Sequence, residues 1–200
     1  MRLHHCSIFR PASLVAAFLL AGVVSALNGC VPMVVAAGAG AGALVATDRR
    51  STGAQVDDET IELKIASAAN SRWGDAVHLN VTSYNAIVLL TGEAPSAEAQ
   101  AEITNLAKTT DRVRSVHNEM VVGPTTSLSA RTNDTYLTSK VKAGFIEVNK
   151  FAPTRVKVVT ERGVVYLMGI VNRDEAEAAT QVAATTTGVA RVVRLFEYSS

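Results

Sequence analysis

Asp58-Glu59-Thr60-Ile61-Glu62-Leu63-Lys64-Ile65 returns 76 residues later as Asp134-Thr135-Tyr136-Leu137-Thr138-Ser139-Lys140-Val141. Each copy opens a helix, and Asp58 and Asp134 are read as N-caps whose carboxylates accept from free backbone N–H groups. Downstream, Leu79-Asn80-Val81-Thr82 matches Val156-Lys157-Val158-Val159, segments that suit a half-buried strand. A turn follows in each copy, Tyr84-Asn85-Ala86 and Glu161-Arg162-Gly163. A second strand comes next, Ile87-Val88-Leu89-Leu90-Thr91-Gly92 and Val164-Val165-Tyr166-Leu167-Met168-Gly169, read as ending at its glycine. Ser96–Thr109 and Arg173–Thr186 are rich in alanine and glutamate and read as helices. The valine pairs Val113/Val116 and Val189/Val192 then lead into a last strand, Glu119–Val122 and Leu195–Tyr198. The pattern helix-strand-strand-helix-strand, written twice, predicts an α+β protein of two tandem domains. In each, two helices cover one apolar face of a three-stranded mixed sheet. The domains are placed at 54–123 and 132–200, joined by a linker over 124–131, with Gly123-Pro124-Thr125-Thr126-Ser127 marking the passage into it.

Upstream of the repeats the chain has a different character. Arg2 and Arg10 mark a basic start, Ala12 to Ala26 is apolar, and Leu27-Asn28-Gly29-Cys30 follows. This is the build of a secretory leader over 1–29, too short an apolar run to span a bilayer as a helix. Leu-x-Gly-Cys resembles the lipobox of bacterial lipoproteins. That resemblance implies cleavage before Cys30, diacylglycerol on its thiol and acylation of its new amino group, palmitate being a typical chain. Val31 rather than aspartate follows the cysteine, which implies delivery to the outer membrane. Residues 30–53 form the lipidated start and a tether rich in Gly and Ala. Gly38-Ala39-Gly40-Ala41-Gly42 follows no strand and lacks the lysine of a phosphate loop, so no nucleotide site is expected there.

Cys6 lies in the leader and Cys30 carries lipid, so no thiol remains for a disulfide or metal site, and packing alone must stabilise the domains. The formal net charge of +1 hides an asymmetry. Residues 48–123 hold 7 Lys/Arg against 11 Asp/Glu, while residues 131–200 hold 10 against 7. The acidic half is expected to face solvent or a protein and the basic half something anionic, the plainer alternative being solvated surface on both.

His78 and His117 are the histidines left after processing, and neither has a partner at a recognisable spacing. No G-x-S-x-G elbow, H-E-x-x-H helix or Cys/His cluster is present. Asp57-Asp58-Glu59 is explained by helix capping and the helix dipole better than by a cation. Near-zero net charge argues against nucleic acid. No catalytic residue, metal or cofactor is expected.

The helix opening the second repeat offers a different chemistry. At about 100° per residue, Leu137, Val141, Phe145 and Val148 form a stripe expected to face the sheet. Tyr136 and Ile146 lie well round the cylinder, near Ser139, Lys140 and Ala143, with Lys142 at the edge. An aromatic ring, an aliphatic chain and an ammonium suit a headgroup boundary, where ring and chain bury and the ammonium meets phosphate. The first repeat has Thr60 and Glu62-Leu63-Lys64 at the equivalent positions, with Asp58 and Glu59 close by and no aromatic. The same residues leave a second arrangement open, with Tyr136 and Ile146 packed on the first domain in a rigid body.

The repeated glycines and closing valines resemble the BON domain, an α/β module of bacterial envelope proteins. Lipobox, Gly/Ala tether, Ala46-Thr47-Asp48-Arg49-Arg50-Ser51, Gln55-Val56-Asp57-Asp58 and Asn133-Asp134-Thr135 resemble, in the same order, the dual-BON outer-membrane lipoproteins. The resemblance implies a non-enzymatic periplasm-facing protein that binds anionic phospholipid (phosphatidylglycerol, cardiolipin), keeps the outer membrane intact and is associated with cell division. It also implies that the lipid contact lies on the first helix of the second domain, with tryptophan at the place of Tyr136. Tyrosine buries less area, so binding is expected to be retained and weaker. The alternative is a periplasmic protein-binding adaptor acting through the acidic first domain or the outer face of either sheet.

Overall fold

A computed structural model describes residues 48–199, so the leader, Cys30 and the tether lie outside the described residues. The first repeat comprises α1 (Thr52–Trp73), β1 (His78–Tyr84), β2 (Ile87–Ala94), α2 (Ala97–Thr109), β3 (Ser115–Asn118) and β4 (Val121–Val122). The second comprises α3 (Leu128–Val148), β5 (Lys157–Glu161), β6 (Val164–Val171), α4 (Arg173–Thr185) and β7 (Arg191–Tyr198). The central strand of each sheet, β2 or β6, pairs antiparallel with the strand before it. Its other edge is parallel: β6 with β7, and β2 with β3 and β4, which are one strand interrupted at Glu119 and Met120. Each is the mixed three-stranded sheet expected, with its helices packed on one side.

Two local readings are corrected. The central strands run on to Ala94 and Val171 rather than ending at Gly92 and Gly169. Gly92 sits within the ladder because its φ of 111° and the close approach of the His78 carbonyl leave no room for a Cβ. The caps are also different. Ser51 and Ser127 cap α1 and α3, each Oγ accepting from the N–H three residues on. The second helix thus begins within the stretch read as linker.

Asp58 and Asp134 lie inside their helices, buried, and perform another task. Tyr84 pairs with Ile87 and Glu161 with Val164, leaving two-residue turns. Asn85 and Ala86 have φ of 51° and 63°, Arg162 and Gly163 of 52° and 73°. Two consecutive left-handed residues make a type I′ turn, and the N–H groups of both point away from the ladder. Asp58 accepts both in the first domain, at 2.7 Å each, and the Ser83 hydroxyl at 2.6 Å. Asp134 accepts both in the second, at 2.8 and 2.9 Å. A helix carboxylate therefore fixes each hairpin to its covering helix.

The helix-facing cores follow the repeat. Asp58, Ile61, Ile65 and Ala69 are the buried residues of α1, and Asp134, Leu137, Val141 and Phe145 those of α3. The first core is completed by Val88, Leu90, Ile103 and Met120, the second by Phe151, Val165, Leu167 and Ala179. The opposite sheet faces are apolar too, and they pack on each other. Tyr84 and Leu89 of the first domain are buried with Tyr166 and Met168 of the second, and Ile87, Val164, Ile170, Val193 and Leu195 surround them. The described chain is thus four layers: helices, sheet, sheet, helices. This shared face occupies the outer sheet surfaces that the adaptor reading had left open for a partner.

The charge asymmetry is resolved at the same interface. Glu62 pairs with Lys157 (2.8 Å), Glu93 with Arg162 (3.5 Å) and Glu119 with Arg191 (3.4 Å), while Arg114 reverses the pattern on Glu197 (2.9 Å). In three of these four pairs the first domain supplies the acid. The anionic surface met by part of the basic half is the other half of the same chain. Apart from the pair on the buried Glu93, these part-exposed pairs contribute about 0–1 kcal/mol each, so they set the docking geometry while apolar burial supplies the energy.

Candidate functional site

The site is built on α3. Burial of Leu137, Val141 and Phe145 and the tie from Asp134 to the β5–β6 turn fix the helix and its rotation. The remaining sides of the cylinder then face outward because successive residues are rotated by about 100°. Tyr136 is 61% exposed and Ile146 67%. Ser139, Lys142 and Ala143 are exposed as well, and Lys140 is half-buried. Tyr136 and Ile146 are therefore not covered by the first domain, although the two domains do pack together. Val148, placed with the sheet-facing stripe, is instead exposed. It falls in the last turn, where Asn149 closes the helix in a left-handed conformation.

The six residues do not form a single cluster. Lys140 Nζ lies 5.6 Å from the centroid of the Tyr136 ring and donates to the Thr187 carbonyl at 3.0 Å. It shares a groove with Ala143, Glu147 and the C-terminal end of α4. Gly144 makes that groove narrow, since a Cβ there would meet the Val182 side chain at 2.6 Å. Lys142 and Ile146 instead line a groove of about 520 Å³ with Asp48, Arg50, Tyr84 and Lys157. Ser139 and Ala143 run along the ridge between the two grooves. The arrangement presents an aromatic ring beside Lys140 and, at the rim of the other groove, an aliphatic chain beside Lys142. Glu147, one turn beyond Ala143, places a negative charge beside Lys140 that the helical-face reading had omitted.

The matching surface of α1 is different in kind. Leu63, at the place of Ser139, is 71% exposed, and Val56 is exposed one face-repeat earlier. Glu59 is exposed between them. Glu62 is not free, since it accepts from Lys157 and from the Ser83 N–H.

Sequence reasoning missed the residues that strap the domains. Arg50 bridges Asp48 and the buried Asp58, both at 2.8 Å, and stacks 3.9 Å from the Tyr84 ring centroid. Burial pushes the Asp58 carboxyl up, but bonds from Ser83, Ala86, Arg50 and Asn85 outweigh it and hold the group below its ordinary range. Arg49 reaches across to Glu175 at 2.6 Å and to the Ile170 carbonyl. Glu175 also closes the capping box of α4 with Asn172. His78 has a partner after all: its Nδ1 donates to Glu93 at 3.0 Å across the β1–β2 ladder. His117 is exposed on β3.

Comparison with known proteins fits this architecture. The BON domain model matches residues 57–124 and again 133–200. The chain is 38% identical over 182 residues to outer membrane lipoprotein DolP of Haemophilus influenzae, covering 90% of this chain and 94% of that protein. It is 33% identical over 153 residues to the 21 kDa hemolysin of Actinobacillus pleuropneumoniae, covering 76% and 79%. Among the described residues no helix is long and apolar enough to cross a membrane. Two BON matches, one on each of two docked α+β domains, and near full-length identity to a lipoprotein place this chain in the BON-domain family, as a dual-BON outer-membrane lipoprotein related to DolP.

Proposed function

We propose that this protein is a non-enzymatic reader of anionic phospholipid that is tethered to the outer membrane through Cys30 and supports membrane integrity, including at the division site. The observation that carries the reading is the exposed ring of Tyr136, standing beside Lys140, with Ile146 exposed on the same helix. Ring and aliphatic chain bury about 2–3 kcal/mol of apolar contact at a headgroup boundary. Each lysine adds about 1 kcal/mol near an anionic surface. These sums are too small to hold a soluble domain on a bilayer. A lipid anchor removes that requirement, because confinement lets a weak contact select composition without supplying attachment. Phosphatidylglycerol and cardiolipin are the lipids this charge pattern favours.

The test is vesicle binding by residues 48–200 lacking the tether, followed by amide chemical shifts. Vesicles with phosphatidylglycerol or cardiolipin should shift resonances of α3, neutral vesicles should not, and Tyr136→Glu should abolish the shifts. Binding unchanged in that variant would remove the site. A second reading draws on the exposed Val56, Glu59 and Leu63 face of α1: the first domain docks an envelope protein. Crosslinking from Glu59 in cells separates the two, since protein adducts favour docking and their absence favours lipid alone.

A further inference from the structure

Where the two domains meet, strand pairing brings several polar groups to one face. His78 pairs with Glu93 and Asn80 with Thr91 across the β1–β2 ladder, and directly opposed residues share a face. Glu161, from the end of β5, meets this face from the second domain, its carboxylate accepting from Asn80 at 2.8 Å. The ligand atoms of His78, Glu93 and Glu161 all lie within 4.8 Å of one another. Glu93 is wholly buried and Glu161 nearly so. A cavity of about 230 Å³ is bordered by His78, Asn80 and Glu161.

From these groups we infer a divalent transition-metal site, best matched to Zn²⁺, bound by His78, Glu93 and Glu161 and clamping the two BON domains together. One imidazole and two carboxylates are the donor set that zinc accepts, at about 2.0–2.2 Å per ligand. That length places neighbouring donors roughly 3.3 Å apart. His78 Nδ1 and Glu93 stand 3.0 Å apart, near this spacing, and all three ligand atoms lie within 4.8 Å, so binding would draw Glu161 inward. A separate observation points to a ligand. Thr91 Oγ1 is buried, at 1% residue exposure, and has no hydrogen-bond partner among the described residues. By strand alternation it lies on the same face as His78, Asn80 and Glu93, where a metal-bound water would satisfy it.

The protonation balance is simple. Metal at Nδ1 leaves the imidazole proton on Nε2, which donates a hydrogen bond to Asn80 Oδ1 once that amide, 3.5 Å away, turns over. The turn also frees Glu161 from Asn80. Two carboxylates, Glu93 and Glu161, are buried close together here, and a cation between them would offset their mutual repulsion. Arg162, 3.5 Å from Glu93, is the competing positive charge, and its side chain is half exposed. Thr126, from the interdomain segment, holds Glu93 through its N–H at 3.0 Å and through its hydroxyl. This inference is independent of the phospholipid reading.

The experiment is calorimetric titration of Zn²⁺ into the full-length mature protein, untagged, in detergent and stripped with chelator. One Zn²⁺ per chain is expected, with a rise in the thermal midpoint. His78→Asn and Glu161→Gln should each weaken binding at least tenfold, Arg162→Ala should tighten it, and His117→Asn should leave it unchanged. Circular dichroism confirms that the variants are folded, and Glu161→Gln decides the matter if His78→Asn is not. Absence of saturable Zn²⁺ uptake by the unaltered protein would overturn the site. So would uptake that survives Glu161→Gln or disappears with His117→Asn.

Discussion

The two BON domains bury the same four helix positions and expose different ones. Asp58, Ile61, Ile65 and Ala69 of α1 correspond one for one, at a spacing of 76 residues, to Asp134, Leu137, Val141 and Phe145 of α3. Outside that stripe the correspondence ends: Thr60, Leu63 and Ser67 stand where α3 has Tyr136, Ser139 and Ala143. The buried set is dictated by the sheet beneath, whereas the exposed set is free to diverge toward different surroundings. One domain carries an acidic face on which Val56 and Leu63 are exposed, the other an exposed tyrosine and isoleucine accompanied by lysines. Duplication preserved the fold, and divergence lies where packing imposes nothing.

The largest expected effect tests the shared half of this comparison. Asp58→Ala should cost about 3–5 kcal/mol, because it orphans buried turn N–H groups and strips Arg50 of a partner. Asp134→Ala orphans two N–H groups without a paired arginine and should cost about 2–4 kcal/mol. Urea denaturation of both gives the order, and equal losses would mean Arg50 adds nothing to the first domain. Next, Leu89→Ala with Met168→Ala removes apolar volume between the sheets, at about 2–5 kcal/mol each. It should split one unfolding transition into two, read by tryptophan fluorescence at Trp73 against far-ultraviolet circular dichroism. A single transition in the double variant would show that the domains are coupled elsewhere.

The divergent half is sharpened by exchange. Glu147→Gln should strengthen binding to anionic vesicles about fivefold, the effect of removing one repelled charge near the surface. Thr60→Tyr in the first domain should confer no binding, since Glu59 and Glu62 remain beside it. The smallest effect concerns pH. Burial raises the folded pKa of Glu161 above its unfolded value, so folding favours the protonated form. That contribution is complete below the unfolded pKa and is lost as pH rises through the folded one. In metal-free buffer Glu161→Gln should therefore stabilise the protein at pH 7 and confer no gain below about pH 4. Asp58 has the opposite sign, so its contribution is present at neutral pH and disappears as the solution is acidified through its lowered pKa.

Much of this could be read before any coordinates. The order of elements followed from the repeat, and the place of Tyr136 and Ile146 off the sheet-facing stripe followed from helical geometry, because both depend on local periodicity; that the first domain leaves them uncovered did not. The role of Asp58 did not. A carboxylate near a helix start reads as a cap, and its true partners, the turn N–H groups at 85 and 86, lie far along the chain. The sheet-on-sheet interface left a trace that went unused. Ile87–Leu90 and Val164–Met168 are unbroken apolar runs rather than alternating ones, the sign of strands buried on both faces.

The sequence by itself determined two α+β repeats, the Leu137, Val141 and Phe145 stripe by which α3 packs and the chemical contrast between the free helix faces. Periodicity and composition act within a few residues, and those properties need nothing more distant. Only the tertiary structure decided that the opposite charges of the two halves meet each other, and that His78, Glu93 and Glu161 converge. Such contacts join residues separated by up to 126 positions, as Arg49 and Glu175 are, and no local pattern encodes which distant surfaces will dock.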